Sequence, residues 1–234
     1  VFLQPAFDGF GAAGQLQQFQ QFLAGGGTFD PATSLFAVWL FPNDVFAAAA
    51  GLAAGTVPGS SGGADLVTNG IVNILTTVQT LAALGAQHIL VPNMPDLGRT
   101  PAFSGNPALS AQLSFLTGVF NSSLGAALSA LEPFIGADIV VFDTAAVFAA
   151  ALADPAAFGF TNVTDACVEN LGSGAGQCNP TNWDSWLFWD GVHPTTAAHR
   201  LIGGEFYAAV PEPGSLGLLA LGLGVLAWRR RAAA

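Results

Sequence analysis

The sequence predicts an α/β domain built on a parallel sheet, and two observations carry that expectation. Short, nearly continuous apolar runs at 34–41, 88–92 and 138–142 have the composition of strands buried on both faces. Between them apolar residues recur at helical spacing, so the order is strand, helix, strand, helix, strand. Such alternation folds through right-handed crossovers and places ligands beyond the carboxyl ends of the strands.

Each element has its own local reason. Residues 15–24 read as a helix with Leu16, Phe19, Phe22 and Leu23 on one side and glutamines on the other, ended by Gly25-Gly26-Gly27. The run 34–41 is rich in Val, Phe and Trp and fits a buried strand. A Gly/Ala/Ser stretch follows. Val67, Ile71, Ile74, Val78 and Leu81 then mark a helix, with Gly85 at its C-cap. After the strand 88–92 comes a loop rich in Pro, Asn and Gly, 93–99. Leu109, Leu113, Leu116, Phe120, Leu124, Leu128 and Leu131 outline a long amphipathic helix before the strand 138–142. Asn43-Asp44, the 93–99 loop and Asp143 all fall at strand ends. A final helix is expected over 195–206, and no internal repeat is present.

Composition narrows the function classes. The chain has 234 residues, 52% of them hydrophobic, enough for one domain with an ordinary core plus a tail. It has no lysine; its arginines are Arg99, Arg200 and the terminal Arg229, Arg230 and Arg231, against 15 acids. Only Glu212 among those acids lies beyond Ala209, so the body carries two cations against fourteen anions. Such a surface repels phosphate backbones, and nucleic acid is excluded as a partner. Cys167 and Cys178 have no histidine or third thiol near enough in sequence to complete a zinc set. A disulfide between them, closing a short loop in an oxidising compartment, is the favoured reading; two unpaired buried thiols are the alternative.

The motif with most chemistry in it is Asp190-Gly191-Val192-His193-Pro194-Thr195, at the mouth of the last helix, which Pro194 would start. An acid three residues before a histidine lets one turn present both side chains to the same point. A neutral imidazole accepts a nucleophile's proton, and a carboxylate on its other nitrogen fixes the tautomer and stabilises the imidazolium. An aspartate capping the helix beside a surface histidine is the alternative.

The block from Phe188 to His199 resembles the last block of the SGNH hydrolases, also called GDSL esterases and lipases. Ile89-Leu90-Val91-Pro92-Asn93-Met94-Pro95-Asp96-Leu97-Gly98 is similar to an internal stretch of their phospholipase- and lecithinase-like branch. The resemblance covers roughly 15–209 and implies a three-layer α/β/α, flavodoxin-like fold. It implies His193 as general base, Asp190 as its orienting partner and no metal or other cofactor. It further implies an oxyanion donor at Asn43, because Phe41-Pro42-Asn43-Asp44 matches a Gly-x-Asn-Asp block, with Phe41 where the family has glycine. No Gly-Asp-Ser occurs in the chain. Gly59-Ser60-Ser61-Gly62-Gly63 fits a Gly-x-Ser-x-Gly pattern, but 47–58 is no credible strand, so this stretch reads as a linker and not as a nucleophile elbow. The serine, with the first strand, is expected upstream of Val1, which is not a methionine and has no leader-like segment before the domain. Without that strand an apolar sheet edge is expected to stand unpaired. His88 and His199 read as bystanders, with His199 pointing away from His193; Asp96 and Arg99 read as pocket shapers or as a salt bridge.

Past a domain of 1–209, residues 210–234 form a separate segment. Val210-Pro211-Glu212-Pro213-Gly214-Ser215 precedes an uncharged run to Trp228 and then three arginines. As a helix, 214–228 would span about 22 Å, which snorkelling arginines and Trp228 extend toward the roughly 30 Å hydrocarbon core. The order of elements resembles the PEP-CTERM sorting signal of Gram-negative bacteria, which implies exosortase processing and transient anchoring in the inner membrane through 215–228. A simple tail anchor is the alternative. Together these readings imply an exported serine ester hydrolase acting on acyl or lipid esters at the periplasm, cell surface or outside the cell. The other class they allow is a non-catalytic surface or matrix protein that keeps the fold and the tail.

Overall fold

The computed structural model describes residues 11–53, 64–170 and 178–210; the Ser61 stretch and the 215–228 tail lie outside them. The central sheet is parallel, in the order β1 (Leu35–Ala37), β2 (His88–Pro92), β3 (Asp138–Phe142). Leu35 pairs with His88, and His88 in turn with Asp138. The last two strands have the bounds that their apolar runs predict. The first is shorter than 34–41: pairing continues one residue past Ala37, through Val38 N–H to Leu90 C=O, and then the chain turns away.

Alternate residues of the strands enter two apolar layers, as the period of two requires. Val38, Ile89 and Val91 join the core formed with α3 (Ala64–Ala83) and α5 (Pro107–Leu131), whose Val78, Leu113, Leu124 and Leu128 are fully buried. Trp39 turns to the other layer, with Leu187, Phe188, Ala198 and Ile202. The sheet is thus sandwiched between helices, in the α/β/α arrangement expected. α1 (Ala12–Ala24) caps one corner, where Phe19 meets Phe36 edge-on at 5.3 Å; Phe22, expected on the same buried side, is half exposed. Gly85, at φ 101°, turns the chain after α3 into β2, a conformation that a side chain disfavours.

Five elements escape the periodicity argument: two helices, a helical turn and two strands. α2 (Pro42–Ala53) begins where a strand end was expected, so Asn43 and Asp44 lie in a first helical turn. Pro42 at its start and the alanines behind it were the available signal. α6 (Thr144–Ala153) is alanine-rich as well, and Asp143 is its cap, accepting from Ala146 N–H at 3.0 Å and from Asn93 Nδ2 at 2.8 Å. A second, two-stranded parallel sheet pairs β4 (Asn162–Ala166) with β5 (Trp186–Phe188). The helical turn α4 (Pro101–Ser104) and the final helix α7 (Thr196–Ala209) complete the set.

Candidate functional site

β5, the loop after it and α7 build the site. The helix starts at Thr196, not at Pro194, because Pro194 is bridged to Phe188 in antiparallel fashion. Trp189 N–H donates to His193 C=O at 2.7 Å and Thr195 N–H to Leu187 C=O at 2.9 Å, so the turn 190–193 is closed at its base. Thr195 is the cap: its buried hydroxyl donates to Trp186 C=O at 2.6 Å and accepts from Ala198 N–H at 3.2 Å. The Gly191 carbonyl is held by Ala102 N–H at 2.9 Å. A Cβ on Gly191 would press on Ala102 Cβ at 3.1 Å and Glu169 Oε1 at 3.3 Å, so these neighbours would have to give by a few tenths of an ångström.

Within that turn Asp190 Oδ1 accepts from Val192 N–H at 2.9 Å and His193 N–H at 2.7 Å. Its Oδ2 lies 2.8 Å from His193 Nδ1. A carboxylate accepts only, so Nδ1 carries the proton and Nε2 holds a lone pair. Partial burial raises the Asp190 carboxyl, but the backbone donors of Val192 and His193 and the adjacent imidazole outweigh it and leave it below the ordinary carboxylate range. The acid is therefore charged at neutral pH.

His193 lines a cavity of about 440 Å³ together with Asn43, Asp44, His199, Trp39 and Phe188. Asn43 arrives there on the first turn of α2. Phe41 precedes it with φ 94°, the left-handed conformation that glycine adopts readily. The phenylalanine in the glycine position therefore keeps a glycine-like backbone, and its ring is buried on Phe120 with Gly70 clearing the space. The Asn43 amide makes no hydrogen bond to any described residue, and neither does His193 Nε2.

The remaining candidates are placed by their contacts. His199 borders the same cavity as His193; its Nδ1 donates to Thr195 C=O at 2.9 Å, which leaves Nε2 free. His88 sits at the far end of β2, 3.6 Å from the exposed Asp138. Asp96 and Arg99 form no salt bridge. Asp96 instead accepts from Gly98 N–H at 3.0 Å and Ser114 Oγ at 2.7 Å, clamping its loop to α5, while Pro95, Leu97 and Thr100 reach the cavity. Cys167 and Cys178 are bonded to each other and buried beside Trp186, next to the strand that leads into the turn.

The chain matches the model of the GDSL-like lipase/acylhydrolase family over residues 6–206 and the PEP-CTERM protein-sorting motif over 209–231. It is 34% identical over 179 residues to an uncharacterized protein in the trpE-trpG intergenic region of Pseudomonas putida, covering 68% of this chain and 29% of that one. Over 145 residues it is 34% identical to esterase EstA of Pseudomonas aeruginosa, 57% of this chain and 21% of the other. The GDSL esterase/lipase APG of Arabidopsis thaliana is 31% identical over 150 residues, 56% of this chain and 41% of the other. The chain spans well under half the length of these relatives. A match that runs from before α1 to near the end of α7 covers the whole α/β body, and this chain belongs to the GDSL-like lipase/acylhydrolase family.

Proposed function

We propose that this chain supplies the base apparatus and an oxyanion donor of an exported serine ester hydrolase. In this reading His193 Nε2 takes the proton of a serine hydroxyl, Asp190 orients the imidazole and stabilises its protonated form, and the Asn43 amide donates to the carbonyl oxygen as it becomes negative. One observation carries the reading: the 2.8 Å contact of Asp190 with Nδ1 leaves Nε2 unengaged on the same cavity that the unengaged Asn43 amide lines. In this reading the attacking serine comes from a Gly-Asp-Ser block outside these 234 residues; the sequence holds no Gly-Asp-Ser, and no serine among the described residues lines the cavity. Water then hydrolyses the acyl-serine, and the substrates are acyl or lipid esters. The family and its esterase-named relatives support ester hydrolysis.

In the same proposal 1–209 is the hydrolase unit and 210–234 is the sorting segment, recognised by an exosortase while 215–228 holds the chain in the inner membrane. The sorting motif supports export in a Gram-negative bacterium; the periplasm, cell surface and exterior are the compartments it serves.

Two preparations test the reading. The 234-residue chain is expected to leave p-nitrophenyl butyrate unhydrolysed. A longer protein with Gly-Asp-Ser upstream is expected to hydrolyse it and to lose that activity with His193→Ala. Turnover by the 234-residue chain that disappears with His193→Ala places the serine inside it. A longer protein that neither hydrolyses esters nor reacts with a fluorophosphonate identifies a non-catalytic surface protein instead.

A further inference from the structure

A second groove, of about 480 Å³, adjoins the His193 cavity, because Pro194 and His199 line both. Its walls also include Trp183, Asp184, Trp189 and Thr196. The two indoles are 38% and 36% exposed and stand 5.7 Å apart at 63°, so each leaves ring surface in water beside the site. Both are held at the backbone. Trp183 N–H donates to Asn179 C=O at 3.0 Å, next to Cys178 of the disulfide, while Trp189 is fixed through His193 C=O at 2.7 Å and Val168 N–H at 2.8 Å. Little backbone ordering is left to oppose binding.

The lining decides which part of an ester fits there. An alkyl chain is matched by Leu, Ile, Val or Met, and none of these is among the described residues of this groove. Its polar groups are instead a carboxylate, a hydroxyl and the Nε2 of His199, which accepts in the neutral ring because Nδ1 carries the proton. A pyranose has the same mixed character, with C–H faces that stack on indole and hydroxyls that donate and accept. Charge points the same way. Arg200 lies 3.2 Å from Asp184, so neither a phosphate nor an ammonium group meets a lone counter-charge there.

Trp189 belongs to the 188–199 block that carries the family resemblance, and Trp183 lies outside it. We propose that Trp183 is a specificity-determining residue: with Trp189 it forms an aromatic subsite for an uncharged sugar ring, and the preferred substrates are O-acylated saccharides. The proposal rests on the ester-hydrolase reading for the place of the acyl group in the His193 cavity. Binding of the sugar needs no nucleophile.

Titration calorimetry on the 234-residue chain compares two butyrate esters, methyl glucoside butyrylated at its primary hydroxyl and hexyl butyrate. Trp183→Ala is expected to weaken the glucoside about tenfold and to leave hexyl butyrate within about twofold, while Trp183→Phe keeps most of the glucoside's affinity. A loss shared equally by both esters, or no loss for the glucoside, overturns the proposal. A measurement on the unaltered chain guards against a folding defect. The indole N–H resonances of Trp183 and Trp189 are expected to shift with the glucoside and not with hexyl butyrate; resonances that stay fixed with the glucoside, or move equally with both, overturn it as well. Turnover by the longer protein distinguishes the two readings. If it hydrolyses both esters and Trp183→Ala leaves kcat/KM for the glucoside unchanged, the specificity falls and the hydrolase stands. If the chain binds the glucoside through Trp183 but the longer protein hydrolyses no ester, the hydrolase falls and the sugar subsite stands.

Discussion

The rings of Phe41 and Phe120 lie parallel, 10° between planes and 4.1 Å between centroids, while the Phe41 backbone is held at φ 94°. A non-glycine residue in that region costs about 1–3 kcal/mol, and a buried phenylalanine contributes about 3–5 kcal/mol. Packing therefore exceeds strain. Phe41→Gly is expected to relieve the backbone yet lower stability by about 2 kcal/mol, read as a shift in the urea midpoint. Gly70→Ala, which drives a methyl into the Phe41 ring, is expected to destabilise by about 1–3 kcal/mol and to disturb the start of α2.

Asp190→Asn leaves the turn's size unchanged but replaces an acceptor-only group by an amide. The His193 tautomer with the proton on Nδ1 loses its reason to dominate. Nitrogen-detected NMR of the chain is expected to show a predominantly Nδ1-protonated neutral ring in the wild type and a mixture in the variant. In the longer protein the same change is expected to lower kcat by about 10⁴-fold, as removing the orienting carboxylate does in serine hydrolases.

The two perturbed aspartates give opposite pH signatures. The folded-state pKa of Asp190 is depressed, so its contribution is present above the unfolded value near 3.9 and is lost as pH falls through the folded one. The folded-state pKa of Asp44 is raised, so its ionisation penalises the fold increasingly as pH climbs from the unfolded value through the folded one. Asp44→Asn is therefore expected to raise Tm at pH 7, with the gain vanishing near pH 3. Asp190→Asn is expected to lower Tm at pH 7, with the loss shrinking only once pH falls below the unfolded value near 3.9.

Cys167 and Cys178 tie the end of β4 to the segment before β5, and Val168 N–H donates to Trp189 C=O at 2.8 Å beside the turn that holds Asp190 and His193. Reduction, or replacement of both cysteines by alanine, is expected to reduce unfolding free energy by about 3 kcal/mol, measured by denaturant titration with and without dithiothreitol.

Gly191→Ala inserts a methyl between Ala102 and Glu169. Since the Gly191 carbonyl also accepts from Ala102 N–H in α4, the turn and these neighbours must yield by a few tenths of an ångström between them. Loss of activity in the longer protein is expected to exceed the loss of stability, with kcat falling while KM stays near its original value.

Where signals are local, residue order alone was decisive. β2, β3, α3 and α5 follow from apolar spacing, because burial of one face leaves a period of two or 3.6 in the chain. Asp190 and His193 meet because they stand three positions apart in one turn, and Cys167 and Cys178 because they close one short loop. Tertiary structure decided what spacing cannot express. α2 and α6 are too rich in alanine to show a face, and β5 is three residues long. Phe41 takes a glycine's conformation only because Phe120 and Gly70 form a slot for its ring. Asn43, Asp44, His193 and His199 share a cavity because β1 and β5 deliver α2 and the site turn to the same end of the fold, and such convergence leaves no mark on any window of sequence.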